Sequence, residues 1–99
     1  MKQGPDDERN LFGPPPEEML AELQRLALRL EVEIRSEGTG GKVGRCLLHG
    51  RWIVMMEKSL PLCDKVEGLA RALADLDYEN VYLSPACRDL LEDFRSRLP

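Results

Sequence analysis

Apolar residues recur every three or four positions over residues 17–30, which predicts an amphipathic α-helix. Pro16 suits the first helical position, and Glu17 and Glu18 would lie in the first turn, where negative charge is favourable to the helix dipole. The polar positions of this segment would face solvent. The apolar positions form one stripe that we expect to enter a core: Met19, Leu20, Leu23, Leu26, Ala27 and Leu30.

The hydrophobic period changes to two after this helix. Apolar and charged residues alternate over residues 31–37, which predicts a strand with one solvated face, and a glycine-rich break follows at 38–41. Two further apolar runs, 43–48 and 52–56, lie on either side of His49-Gly50. This spacing predicts a β-hairpin with that pair as its turn, because glycine accepts the positive φ that a tight hairpin requires.

The predicted hairpin has a definite register, with Leu47 opposite Trp52 and Cys46 opposite Ile53. Its second strand is apolar on both sides, which is typical of a central strand. If the helices cover one face of the sheet alone, the other face would be a contact surface, and a two-fold dimer would cover it. The interaction residues predicted in this way are Trp52, Ile53, Val54, Met55 and Met56.

Two more apolar stripes predict two C-terminal helices. The first would begin at Ser59-Leu60-Pro61 and extend to about Leu76, and Ser84-Pro85 supplies a capping hydroxyl and a proline for the start of the second. The last helix is expected to turn Cys87, Leu90, Leu91, Phe94 and Leu98 inward. The predicted fold class is therefore α+β: a three-stranded, mainly antiparallel sheet with three helices, in chain order α-β-β-β-α-α.

The composition changes before the first helix. Residues 1–16 carry a charged run at 6–9 and end in three prolines, which predicts a disordered or extended N-terminal arm. The alternative is an arm whose Leu11 and Phe12 dock on the domain itself or on a partner. Residues 17–99 then form a single α+β domain, which is the most that a chain of 99 residues accommodates.

Bulk properties exclude several classes of partner. Hydrophobic residues make up 42% and charged residues 32% of the chain, an ordinary globular mixture. A formal net charge of -4 disfavours nucleic acid as a partner. The chain has neither a run of about 20 apolar residues for a membrane span nor the apolar core of a signal peptide. The expected location is therefore the cytoplasm, with no membrane partner.

The candidate metal ligands are three cysteines and one histidine, Cys46, His49, Cys63 and Cys87, a set that could bind structural zinc. The cysteines are 17 and 24 residues apart, whereas structural sites usually pair them at two to four residues. We expect Cys63 and Cys87 to act as packing residues on helical stripes and His49 to be exposed at a turn. No catalytic residue and no cofactor is predicted; a metal- or thiol-dependent protein using these four residues is the alternative.

Residues 69–75 read Leu69-Ala70-Arg71-Ala72-Leu73-Ala74-Asp75, on a helix that follows a helix, a strand and a hairpin. Over residues 17–76 this order resembles the N-terminal half of the ImmA/IrrE-like zinc metallopeptidases, whose helix carries Leu-Ala-His-Glu-Leu-x-His. Arg71, Ala72 and Asp75 stand where that family has its zinc ligands and catalytic base. The resemblance implies an inactive relative. The sequence thus predicts a small non-enzymatic interaction module, binding a protein partner or itself, and as a pseudoenzyme it would keep a peptide groove with Arg71 inside it.

Overall fold

The computed structural model describes residues 14–38 and 43–98. Within these ranges lie three helices and three strands: α1 (Pro16–Arg29), β1 (Glu33–Glu37), β2 (Val43–Leu48), β3 (Arg51–Glu57), α2 (Leu62–Leu73) and α3 (Pro85–Ser96). This confirms the predicted α+β class with a three-stranded sheet and three helices. The predicted N-terminal arm up to residue 13, with Leu11 and Phe12, lies outside the described residues, as does the glycine-rich break from residue 39 onward.

The three strands form a mixed sheet in the order β1-β3-β2. β3 is central, as its two-sided apolar sequence predicts. The prediction of a mainly antiparallel sheet is wrong, because β1 pairs parallel with β3 while β2 pairs antiparallel with it. The chain places β1 at one edge and β2 at the other before β3 returns between them. The alternation of apolar and polar residues shows which side of a strand faces the core. It does not show whether the strand pairs parallel or antiparallel with a strand that is distant in sequence.

The hairpin has the predicted register, with Leu47 opposite Trp52 and Cys46 opposite Ile53. Its turn residues both have positive φ, 52° at His49 and 78° at Gly50. A two-residue turn of this kind matches the twist of the flanking strands, and glycine adopts the conformation without strain. The sequence signal at His49-Gly50 was therefore sufficient to locate the turn.

Local signals at the helix ends agree in part with the predictions. Ser84 Oγ accepts a hydrogen bond of 3.3 Å from the Cys87 amide, which confirms the predicted cap of α3. α2 ends at Leu73, before the predicted Leu76. α3 ends at Ser96, so Leu98 is exposed, and the prediction that it faces inward is wrong. No helix in residues 14–38 and 43–98 combines the length and the apolarity that crossing a membrane requires.

The helices enclose the core against one side of the sheet. α2 packs closely against β2 at Gly68, where an added Cβ would lie 2.5 Å from Val43 Cγ2. This contact explains a glycine in the middle of a helix. Because side chains alternate along a strand, Val54 and Met56 share this side of the sheet with Val43, which pairs with Met56. The largest fully buried side chains are Leu23, Leu26, Val54, Leu69, Leu73, Tyr78, Cys87 and Leu91.

Candidate interaction surface

The five residues predicted to form an interaction surface all lie on β3, and most of them are buried. Ile53, Val54 and Met56 are buried, while Trp52 and Met55 are partly exposed. Ile53 points to the opposite side of the sheet from Val54, yet it is only 3% exposed. An interaction through these five residues would require the sheet to be uncovered first, and their role in binding stays a prediction.

The four candidate metal ligands are spread over four places in the fold. Cys46 is exposed on β2, His49 is exposed in the hairpin turn and Cys63 is exposed at the start of α2. Cys87 is buried in α3, where burial raises the pKa of its thiol to about 12. Among the described residues, no three His, Cys, Asp or Glu side chains converge in a way that could hold a metal ion. The prediction that Cys87 packs in the core is confirmed. The same prediction for Cys63 is wrong, because Cys63 is exposed at the start of α2.

The residues at the metallopeptidase-like positions of α2 have structural contacts. Arg71 is exposed, and its guanidinium lies 5.1 Å from the ring centre of Phe94 rather than in a pocket. Asp75 accepts hydrogen bonds of 2.5 and 2.9 Å from Arg45 on β2. That guanidinium also donates to the carbonyl of Ala72 and lies 4.1 Å from the ring centre of Trp52. These contacts attach β2 to the end of α2.

The most exposed large hydrophobic side chains of the described chain lie together on another surface. Leu28 on α1 is 76% exposed, and Tyr82, in the segment before α3, is 88% exposed. Both line one groove of about 520 Å³ between α1 and residues 81–84. Scattered exposed apolar residues are normal, but two of this size beside the same concave surface are typical of a contact site. We call this surface the α1 groove.

Hydrogen bonds hold the two sides of the α1 groove together. Glu22 on α1 accepts from both the amide and the hydroxyl of Ser84, at 2.6 and 2.8 Å. Arg88 on α3 donates to the carbonyl of Val81 at 3.3 Å. Leu26 and Leu83 are buried beneath the exposed side chains. Residues 81–84 are therefore held in place at both ends, by Val81 and by Ser84. The side chain of Tyr82 is not needed to hold this segment and can stay exposed.

The charge of the α1 groove is opposite to that of the whole chain. Arg25 and Arg29 lie along it, both exposed, whereas the chain carries a formal net charge of -4. Both carboxylate oxygens of Glu22 are already hydrogen-bonded to Ser84. Two guanidinium groups beside exposed leucine and tyrosine side chains can bind carboxylates and apolar groups at the same time.

Sequence reasoning missed the α1 groove, although part of the signal was present. Leu28 falls among Gln24, Arg25 and Arg29 on the polar side of the predicted helix, outside the apolar stripe. An apolar residue at that position lies on the side of the helix that faces away from the core, where it is available for an external contact. Tyr82 gave no comparable signal, because its exposure depends on how the connection between α2 and α3 is attached to α1.

Comparison with protein-family models, with curated protein sequences and with solved structures finds no match to this chain.

Proposed function

We propose that this chain is a small, non-enzymatic protein-interaction module that binds an acidic segment of a partner protein in the α1 groove. The observation that carries the proposal is the pairing of Leu28 and Tyr82 on either side of one concave surface. Tyrosine and arginine are enriched at the energetic centres of protein interfaces, since they combine large contact area with hydrogen-bonding groups. The groove offers Tyr82, Arg25 and Arg29 in that combination.

The charge distribution supports an acidic occupant. Arg25 and Arg29 lie one helical turn apart on α1, so that a short segment could contact both. Bidentate hydrogen bonds between guanidinium and carboxylate give geometric specificity as well as affinity. An apolar side chain of the same segment would fill the space between Leu28 and Tyr82. The proposed ligand is therefore a peptide segment with one or more carboxylates next to a large apolar residue.

Other features are compatible with a binding role in the cytoplasm. Cys46, Cys63 and Cys87 are free thiols, as expected for a reducing compartment. His49 is exposed in the hairpin turn, whereas Cys87 is buried in α3. The inactive-relative interpretation of residues 69–75 agrees with this proposal but is not needed for it.

Selection from a displayed library of random 12-residue peptides on the full chain tests the proposal. We expect enriched peptides to contain acidic residues beside an aromatic or aliphatic residue. Tyr82→Ala should weaken a selected peptide by at least about tenfold, because hot-spot truncations cost that much or more. Arg25→Glu combined with Arg29→Glu should abolish binding of the acidic peptide and reduce the dependence of affinity on salt.

Leu47→Asp is the matched control, since Leu47 is an exposed leucine on β2, away from the α1 groove. Its affinity for the selected peptide should equal that of the unaltered chain. Enrichment of peptides without acidic residues, or equal binding by Tyr82→Ala and the unaltered chain, would show that the groove is not the binding site. Failure to enrich any peptide would also contradict the proposal.

A further inference from the structure

The described residues begin beside an apolar groove at the start of α1. Pro14 lines this groove of about 370 Å³, together with Met19 of α1 and with Ala86 and Leu90 of α3. Ala86 and Leu90 pack against the core but are only partly buried. We call this surface the Pro14 groove. The chain that precedes Pro14 is therefore joined to the fold at an apolar surface that has room for further side chains.

The Pro14 groove and the α1 groove lie next to each other along α1. Met19 of the first and Glu22 of the second are one helical turn apart, and Ala86 of the first follows Ser84 of the second by two residues. Glu22 and Ser84 are hydrogen-bonded to each other, so α1 and the start of α3 border both grooves. A segment that runs from one groove to the other stays beside α1 throughout.

The sequence before Pro14 has the chemistry of the ligand proposed for the α1 groove, and the present inference rests on that proposed function. Residues 6–9 carry three acidic side chains and one basic side chain, and Leu11-Phe12 follows them. Among residues 14–38 and 43–98, no salt bridge involves Arg25 or Arg29. The two guanidinium groups can therefore bind the carboxylates of this acidic run.

The lengths of the two segments also agree. Arg25 and Arg29 lie nine and thirteen residues after Pro16, which is about 14 and 20 Å along the helix axis. Counted back from position 13 as extended chain, the acidic run at residues 6–8 lies about 17–23 Å away. An arm that runs back along α1 therefore brings its carboxylates level with the two arginines. Its two large apolar residues then lie beside the Pro14 groove.

We infer that residues 6–12 of the chain bind in its own Pro14 groove and α1 groove, and that a partner must displace them. The acidic run contacts Arg25 and Arg29, while Leu11-Phe12 packs on the apolar lining of the Pro14 groove. A segment tethered by a short linker has an effective concentration of about 1 mM, so it stays bound if its intrinsic dissociation constant is below that value. The apparent affinity for a partner falls with the fraction of chains whose groove is open.

Photo-cross-linking of the full chain tests the position of the arm without any partner. Phe12→p-benzoylphenylalanine keeps an aromatic side chain and adds a photoreactive ketone. In dilute solution we expect a cross-link within one chain, mapped by mass spectrometry to Met19, Ala86 or Leu90. A cross-link confined to other residues, a product of two chains or the absence of any cross-link would overturn the inference.

Charge variants of the α1 groove test whether the acidic run holds the arm. Arg25→Glu combined with Arg29→Glu should lower the yield of the within-chain cross-link about fivefold, because like charges then meet along α1. Leu47→Asp, on β2, should leave the yield unchanged. An unchanged yield in the double arginine variant would mean that the acidic run does not contact the α1 groove.

The affinity of the full chain for a selected acidic peptide tests displacement. Asp7→Asn combined with Glu8→Gln should raise this affinity about fivefold, because the arm then competes less well for the arginines. Asp64→Asn combined with Glu67→Gln is the matched control, since it removes the same two charges from exposed positions of α2. Equal rises for the two pairs would show that net charge rather than displacement sets the affinity.

Docking of the arm and binding of a partner can fail separately. If the within-chain cross-link forms but no peptide is enriched, the arm is placed as inferred and the proposed function is wrong. If peptides bind but Phe12→p-benzoylphenylalanine gives no cross-link in the Pro14 groove, the proposed function stands and the inference is wrong.

Discussion

Two tyrosines four residues apart, in the connection between α2 and α3, have opposite environments. Tyr78 is fully buried, its hydroxyl donates to Glu92 at 3.1 Å, and the guanidinium of Arg95 lies 4.4 Å from its ring centre. Tyr82 is 88% exposed and lines the α1 groove. The first side chain closes the core between α2 and α3. The second is left free to contact another molecule.

The two environments imply two different roles: Tyr78 contributes to the stability of the fold, and Tyr82 is available for binding. Around Tyr78 the polar groups find partners inside the chain, which is the condition for burying them at little cost. Around Tyr82 the neighbouring Arg25 and Arg29 remain exposed, so their hydrogen bonds are available to a ligand. Substitution of Tyr78 should therefore change the free energy of unfolding, and substitution of Tyr82, Arg25 or Arg29 should change binding alone.

The largest effect is expected for Tyr78→Ala. Loss of a fully buried aromatic side chain should lower the free energy of unfolding by about 3–5 kcal/mol, because the contacts of the ring are lost and a cavity remains. Tyr82→Ala should change the same quantity by less than about 0.5 kcal/mol. Urea denaturation followed by circular dichroism measures both values.

Tyr78→Phe extends the comparison if the alanine variant fails to fold. It keeps the ring and removes the bond to Glu92, so we expect a loss of about 1 kcal/mol. Equal losses for Tyr78→Phe and Tyr82→Phe would show that the buried hydroxyl does not contribute to stability, and would contradict the assignment of the two environments.

An intermediate effect is expected for Arg95→Gln. The guanidinium of Arg95 donates to the carbonyls of Ala74 and Leu76, at 2.8 and 2.6 Å, and so satisfies backbone groups where α2 has ended. Hydrogen bonds from a charged group to such acceptors contribute about 1.5–3 kcal/mol, and we expect a loss in that range. The loss would be measured by thermal and urea unfolding.

Arg97→Gln is the control for Arg95→Gln. Arg97 forms an exposed ion pair of 2.6 Å with Asp93, four residues earlier on α3. Pairs of this kind contribute at most about 0.5 kcal/mol. If the two arginine variants lost equal stability, the carbonyl contacts of Arg95 could not be what fixes the connection between α2 and α3.

The accuracy of sequence reasoning in this chain depends on how local the deciding contacts are. The His49-Gly50 turn, the hairpin register and the Ser84 cap depend on neighbouring residues, and all three were predicted correctly. The parallel pairing of β1 with β3 depends on a path of some 20 residues through β2, and its direction was missed. The same reason explains why Tyr78 and Tyr82 could not be distinguished, since each environment is created by residues of α1 or α3.

The smallest effect is expected at Asp75, which lies between the two kinds of environment. Hydrogen bonds from Arg45 hold the pKa of the Asp75 carboxyl below its usual range, although the side chain is still 42% exposed. A lowered folded-state pKa means that the ion pair stabilises the fold above the unfolded-state pKa, about 3.9 for an aspartate, and that this contribution is lost as the pH falls through the folded-state value.

Asp75→Asn should therefore cost about 1 kcal/mol or less near pH 7, a cost limited by solvent screening of the pair. The difference from the unaltered chain should stay constant down to about pH 5 and shrink below about pH 4, where the unaltered carboxyl also becomes neutral. Urea unfolding of both chains across this pH range measures the difference. A difference that grows as the pH falls would mean that Asp75 is less acidic in the folded chain than in the unfolded one, and Arg45 would then be held by Ala72 and Trp52 rather than by the carboxylate.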